Sequence, residues 1–482
     1  MIEVRRFAFP GPLAAPIRTG FMSDAKAIDP WRAELGATLR LAAPLALANL
    51  LWMAIGTTDV IFVAKLGQEP LAASSLAVTQ YMLISWALTG LTGAVAPLVA
   101  AELGRRRHAV REVRRSVRMA LWLALGTGLG GIALCGWGEA FMRLTGQDPR
   151  ISAQAGSFLA IIRWSIPAMI GASVLRTFVS ALGRPMLATA ITALAILVNA
   201  AGNWALIFGH WGMPALGLDG SALASVVTSY ATLGAYAAVI AADRHLRRYY
   251  LLGNWWRAEW QRLRELVRIG LPIAAIIIAE GGFFSSAAYL MGRIGAAELA
   301  AHTVALQVAA LAFQVPFGVG QAATIRVGYH YGAADREGVR LAGLASLSIA
   351  FAFSFVGASL MLLIPRTILA LYVDPAAPAN AAMTDLATGY LAVAALFQLF
   401  DGIQAVTAGA LRGLQDTRMP MAIALFGYWL PGFGLSLGLG LFTPLGGLGV
   451  WIGLAAGLVV VAVLLLQRWR RREALGLLPL AR

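Results

Sequence analysis

Long apolar runs recur along the whole chain, each of roughly 20 to 30 residues and separated from the next by a short polar break. A helix needs about 20 apolar residues to cross the hydrocarbon core of a bilayer, so each run is a candidate membrane span. With 59% hydrophobic and only 13% charged residues, a soluble chain of 482 residues could not cover its own interior. The pattern predicts an all-α integral membrane protein with twelve transmembrane helices. The first six spans fall at about 39–65, 72–101, 117–144, 155–182, 185–209 and 220–242. The second six fall at about 268–292, 301–328, 340–371, 385–411, 418–442 and 446–468.

A net charge of +15 would raise the question of nucleic-acid binding in a soluble protein, so where the charge sits matters more than its size. It clusters at Arg105, Arg106, Arg107, Arg111, Arg114, Arg115 and Arg118, along residues 244–268, and at Arg468, Arg470, Arg471 and Arg472. Each cluster adjoins a helix end. By the span placement, roughly thirty of the 38 Lys and Arg residues lie on one side of the membrane, the positive-inside pattern. The charge is therefore a topology signal. It places both termini in the cytoplasm of a bacterial-type inner membrane and gives no reason to expect a nucleic acid.

The chain then divides into a cytoplasmic N-terminal tail (1–37), a first half (38–242), a cytoplasmic linker (243–267), a second half (268–468) and a cytoplasmic C-terminal tail (469–482). Residues 1–21, ahead of Met22, have the character of an over-extended start. The linker's mixture of Trp, Tyr and Arg suits either an amphipathic segment on the membrane surface or an ordinary solvated helix. Cys135 is the single cysteine, which excludes a disulfide framework within the chain. His108, His210, His245, His302 and His330 are scattered over loops and helix ends without ligand spacing, and no phosphate-binding glycine loop or nucleophile elbow stands in context. An enzyme, a resident cofactor and a nucleotide-driven pump all lack their residues. An ion gradient or the substrate's own gradient is left as the energy source.

The two halves repeat at an offset of about 228 residues. Arg40 to Pro44 answers Arg268 to Pro272, Gly67 answers Gly295, Leu71 answers Leu299 and Gly104 answers Gly332. Six helices return the chain to the same side, so the repeats are parallel and form two six-helix lobes around a central cavity. Rocking such lobes exposes the cavity to each side in turn, which is how a transporter works; a channel can be built on almost any bundle, so the fold alone does not choose.

Three acids stand inside predicted spans: Asp59, Glu280 and Asp401. A carboxylate at a helix centre costs roughly 2.5–3.5 kcal/mol on insertion scales, so such residues face a cavity and carry function. Glu280 and Asp401 both fall near mid-bilayer and can share a pocket. Together they suit a proton or, ionised and ringed by amides and carbonyls, a sodium ion. Asn199 and Asn203 share a helix face, Gln307, Gln314 and Gln321 recur every seventh residue, and Gln404 follows Asp401 by three. These amides are candidates for substrate or ion contact, or for hydrogen bonds that join helices. Arg163 and Arg176 read as snorkelling or structural. Pro44, Pro97, Pro272 and Pro316 interrupt their helices, with Pro44 and Pro272 as bending points.

In these stretches the chain resembles the multidrug and toxic compound extrusion (MATE) family, nearest its NorM-like branch. The likeness is carried by TTDVIFVAKLG up to Gly67, NAAGNWALIFG at 199–209, GLPIAAIIIAE at 270–280, VPFGVGQAATIRVGYHYG at 315–332 and DGIQAVTAGALR at 401–412. The resemblance implies an antiporter with an N-lobe and a C-lobe that exports amphiphilic, mainly cationic compounds in exchange for H+ or Na+. It implies coupling-ion binding at Glu280 and Asp401, and an N-lobe site of Asp59, Asn199 and Asn203. A Tyr commonly stands one turn before the helix 10 Asp in that family, whereas this chain has Phe397, a departure that weakens the case for sodium. A monomer in the lipid bilayer is the expected form. The alternatives are a flippase for lipid-linked saccharides, which would need more cationic residues in its cavity, and a channel.

Overall fold

A computed structural model describes residues 29–105, 109–251, 253–374 and 377–479. The expectations for residues 1–28, which include an over-extended start, lie outside the described residues. Eleven helices are long and apolar enough to cross a membrane, and a bent pair makes a twelfth span. In order the spans are Pro30–Ala64, Gln68–Arg105, Ala109–Leu144, the pair Pro149–Ile162 and Ser165–Ala181, Pro185–Phe208, and Leu218–Ala242. The second six are Trp260–Ile294, Ala296–Gly332, Arg336–Leu363, Ala381–Gly413, Arg418–Phe442 and Gly447–Arg470. All twelve predicted spans are present, and they are called spans 1 to 12 below. Spans 1 and 7 are each 35 residues long, as a repeated unit requires.

Two apolar cores hold the bundle, one per half. The first runs from Leu41 to Ile273, with a few residues of spans 8, 9 and 10 packed onto it. The second runs from Ile276 to Leu478 and draws its large members, Phe283, Tyr390, Tyr428 and Trp451, from the second half alone. Between the cores, spans 1 and 8 cross, and spans 2 and 7 cross. At both crossings the backbones approach so closely that glycine is required. A Cβ at Gly318 would stand 2.7 Å from the Ala46 Cα, and one at Gly270 would collide with the Leu91 carbonyl.

These crossings lie toward the end of the bundle that carries the arginine clusters. Span 1 is buried along 41–49 but largely uncovered along 51–62, and span 8 is most buried at 318–325. Ion pairs close the same end. Arg326 of span 8 holds both Glu34 oxygens of span 1, and Arg262 of span 7 reaches Glu102 of span 2 at 3.1 Å and Glu112 of span 3 at 2.9 Å. The halves are thus joined at the basic end and part toward the other.

Several expectations need correction. Helix 1 begins at Pro30, where Asp29 accepts the Trp31 amide as a cap, so the predicted tail boundary at 37 falls within a helix. The linker is neither a surface helix nor a solvated one. Beyond the short turn Arg244–Arg247, whose Leu246 is buried, it runs as a loop with Tyr249 and Leu251 buried until Trp260, where residues 260–267 already form the start of span 7. Arginines of span 3 clamp it: Arg114 donates to the Tyr249 carbonyl at 2.6 Å, and Arg118 to those of Gly253 and Asn254. Periodicity cannot foresee this, because the loop's backbone polar groups are satisfied by a distant helix. Span 9 ends at Leu363 rather than 371, since Pro365 disfavours a helical residue before it.

Helices run unbroken through Pro44, Pro272 and Pro316. The breaks fall at Gly93–Ala94 in span 2 and at Arg163–Trp164 in span 4, where the axis turns by 48°. Span 11 carries a π-helical stretch, Tyr428–Phe433, around Pro431. His302 and His330 sit within span 8, His302 buried in the second core rather than at a helix end.

Candidate functional site

Two acid sites lie in the two halves, and they differ in how their carboxylates are held. In the first half, span 1 delivers Asp59 against span 5. Asn199 and Asn203, one turn apart and fully buried, donate their amides to Asp59 Oδ1 at 2.9 and 2.7 Å. Ser225 of span 6 donates to Oδ2 at 3.2 Å. Asn203 also donates back to Asn199 Oδ1 at 3.2 Å, which locks the pair. Three donors from two helices thus fix one carboxylate.

In the second half, span 10 places Asp401 and Gln404 on one face of a buried helix, both 4% exposed. Glu280 of span 7 stands within electrostatic reach of Asp401 and within hydrogen-bonding reach of Gln404. The Gln404 amide donates to the Tyr428 hydroxyl at 2.5 Å, and Tyr428 stacks on Phe283 with ring centroids 5.3 Å apart. Asp401 Oδ1 and Gln404 Oε1 are buried and have no protein partner. Gln398, one turn before, is fully buried with both amide atoms unpartnered. Acceptor oxygens converge here with few donors to meet them, which suits a proton or a hard monovalent cation.

Phe397 fills the place one turn before Asp401 with an apolar ring, packed edge-on against Phe284 and Trp451 at 6.0 Å each. The nearby hydroxyl is instead that of Tyr428, from span 11. Sequence reasoning missed it because it arrives through the π-helical turn, and only the WLPG stretch after it marks the irregularity. Arg412 was missed too; it interacts with Glu280 from the far end of span 10.

The remaining expected residues scatter. Gln307 is exposed, and Gln314 turns its amide onto Ala310 of its own helix at 3.3 Å; neither takes part in the hydrogen bonds of the acids. Arg176 donates to Asn49 at 3.4 Å and Arg163 to the Ala160 carbonyl at 3.1 Å, both structural contacts.

A helical bundle joined at one end, with an intramembrane acid site in each half, is the architecture of a membrane transporter. The MatE family model matches the chain twice, over residues 44–205 and 272–437, starting at the two repeat-related prolines. The chain belongs to the MatE family. It is 44% identical over 448 residues to the probable multidrug resistance protein NorM of Mesorhizobium japonicum, covering 92% of this chain and 96% of that one. It is 36% identical to the multidrug resistance protein NorM of Burkholderia vietnamiensis, over 91% and 94% of the two chains. Its fold is shared with an outward-facing multidrug resistance MATE family transporter of the MOP superfamily, with a TM-score of 0.82, 20% identity and coverage of 95% and 99%. The eukaryotic MATE transporter AtDTX14 follows at a TM-score of 0.81, 19% identity and coverage of 93% and 99%.

Proposed function

We propose that this chain is a multidrug efflux antiporter that exports amphiphilic, mainly cationic compounds in exchange for H+ or Na+ bound at Glu280 and Asp401. The observation that carries this reading is the buried pair itself, two carboxylates in one lobe with acceptor atoms left open, in a chain closely similar to proteins named NorM. A cation of either kind neutralises the pair, so drug and coupling ion compete for it. That exclusion enforces exchange. Inward movement of one charge contributes about 2.3 kcal/mol per 100 mV; an outgoing monovalent cation cancels that term, so one-for-one exchange runs on the ion's concentration gradient, and the potential adds to it only when more positive charge enters than leaves.

In this reading residues 38–242 and 268–468 are the two rocking lobes, Asp59 with Asn199 and Asn203 is the N-lobe partner site, and Pro44 and Pro272 are points where helices bend during the cycle. The basic end faces the cytoplasm of a bacterial inner membrane with both termini there, so the present conformation opens outward. The chain works as a monomer, as a transporter rather than an enzyme, and without a resident cofactor. Ethidium efflux from cells expressing Asp401→Asn or Glu280→Gln is expected to fall to the background rate at unchanged expression. Undiminished efflux in both variants refutes the C-lobe assignment, and sodium and pH jumps in proteoliposomes identify the ion.

A further inference from the structure

A second site lies at the basic end of the second half, away from both acid sites. A cleft of about 340 Å³ opens there between Arg268 of span 7, Tyr331 of span 8 and the turn of residues 414–418 that joins spans 10 and 11. Two acids line it, Glu265 and Asp416, and each is held by an arginine that does not line the cleft, Glu265 sharing Arg262 with Glu102 and Glu112. Asp416 accepts from Arg468 at 2.5 Å and Glu265 from Arg262 at 2.7 Å. Arg268 and Arg418 are exposed and have neither an ion-pair nor a hydrogen-bond partner among the described residues. Two guanidinium groups therefore line the cleft with no carboxylate bonded to either of them among the described residues.

The turn adds donors of a different kind. The helix Arg418–Gly427 starts in the cleft wall, and its cap residue Thr417 makes no side-chain capping bond. Thr417 is only 4% exposed, yet it lines the cleft and has no side-chain partner among the described residues. The first-turn amides of Arg418 and Met419 have no carbonyl within the helix to bond, and the helix dipole turns its positive end toward the same place. Free amides, an idle hydroxyl and two unpaired arginines are the donor set that binds a phosphate oxyanion.

We propose that this cleft binds the phosphate of an anionic phospholipid in the leaflet at the basic end. The lipid is favoured as the source because the cleft sits at the ends of spans 7, 8, 10 and 11, at headgroup level, where basic pockets between helices hold anionic headgroups. The site lies within one lobe and does not depend on which ion drives transport.

Native mass spectrometry of the full chain, titrated with phosphatidylglycerol and separately with phosphatidylcholine, tests it. One tight phosphatidylglycerol adduct is expected. Its affinity should drop about tenfold or more in R268Q/R418Q, while phosphatidylcholine binds the two proteins alike. Two other basic-end arginines, Arg244 and Arg247, are exposed outside the cleft, so R244Q/R247Q is the control and should keep the adduct. Competition by inorganic phosphate would make the oxyanion the recognised group whatever its source; no competition would leave the lipid as the ligand. Equal phosphatidylglycerol affinity in wild type and R268Q/R418Q, or equal loss in R244Q/R247Q, overturns the proposal. Ethidium efflux by each variant, which should persist, shows that it has folded.

Discussion

Asp59 and Asp401 carry the same side chain inside the same membrane-spanning bundle, yet one is held by three donors and the other keeps an oxygen with no partner at all. The difference follows from their neighbours. Asp59 faces a helix whose polar residues, Asn199 and Asn203, can donate; Asp401 faces Glu280 and a Gln404 whose amide is already committed to Tyr428. A fully satisfied carboxylate is a structural anchor as much as a site. In the proposed function the under-satisfied pair is where a cation is taken up, because uptake would supply what the protein withholds.

This contrast can be broken most directly by the two isosteric variants compared for stability. Asp59→Asn sets an amide against amide donors and should lower the unfolding free energy by about 1–3 kcal/mol, seen as an earlier melting transition in detergent. Asp401→Asn removes a buried charge with no such penalty, so its melting should be unchanged or later. Equal destabilisation of both would mean that the two sites are held alike.

A smaller effect is expected at the edge of the second site. Tyr428→Phe strips Gln404 of its acceptor and should cost about 1–2 kcal/mol, with a severalfold slower ethidium efflux and no change in the melting of the first lobe's variants. Smaller again, Ser225→Ala removes the longest of the three bonds to Asp59 and should cost about 0.5–1 kcal/mol. Efflux that tracks Ser225 more strongly than Tyr428 would reverse the ranking of the two sites. Least of all, Phe397→Tyr returns a hydroxyl one turn before Asp401 and should raise the sodium response of efflux by about twofold, measured in proteoliposomes at fixed pH.

The twelve spans were legible because apolar length is a local property, and the three acids because an intramembrane carboxylate is conspicuous in any apolar run. Asn199 and Asn203 were legible as a pair because a four-residue spacing fixes a helix face. What escaped depended on distant partners. Nothing local to the linker shows that Arg114 and Arg118 will hold its carbonyls, or that Tyr428 will arrive from span 11 to stand near the place Phe397 leaves apolar. The ion pair of Glu34 with Arg326 spans nearly three hundred residues. For Gln307 and Gln314 a seven-residue repeat fixes a face without saying what that face meets.

The close backbone crossings at Gly318 and Gly270 have a mechanical consequence. At these two points the contact is backbone on backbone, so little side-chain interlock has to be undone there, although Ile277 of span 7 does seat over Gly90 of span 2 nearby. Such a joint resembles two smooth plates held at the rim by charge, and its resting position can be tuned by very little. One methyl group at Gly318, set 2.7 Å from the Ala46 Cα, would act as a wedge. If the lobes rock as proposed, the balance between the two faces of the membrane would be sensitive to this seam, at positions away from both acid sites.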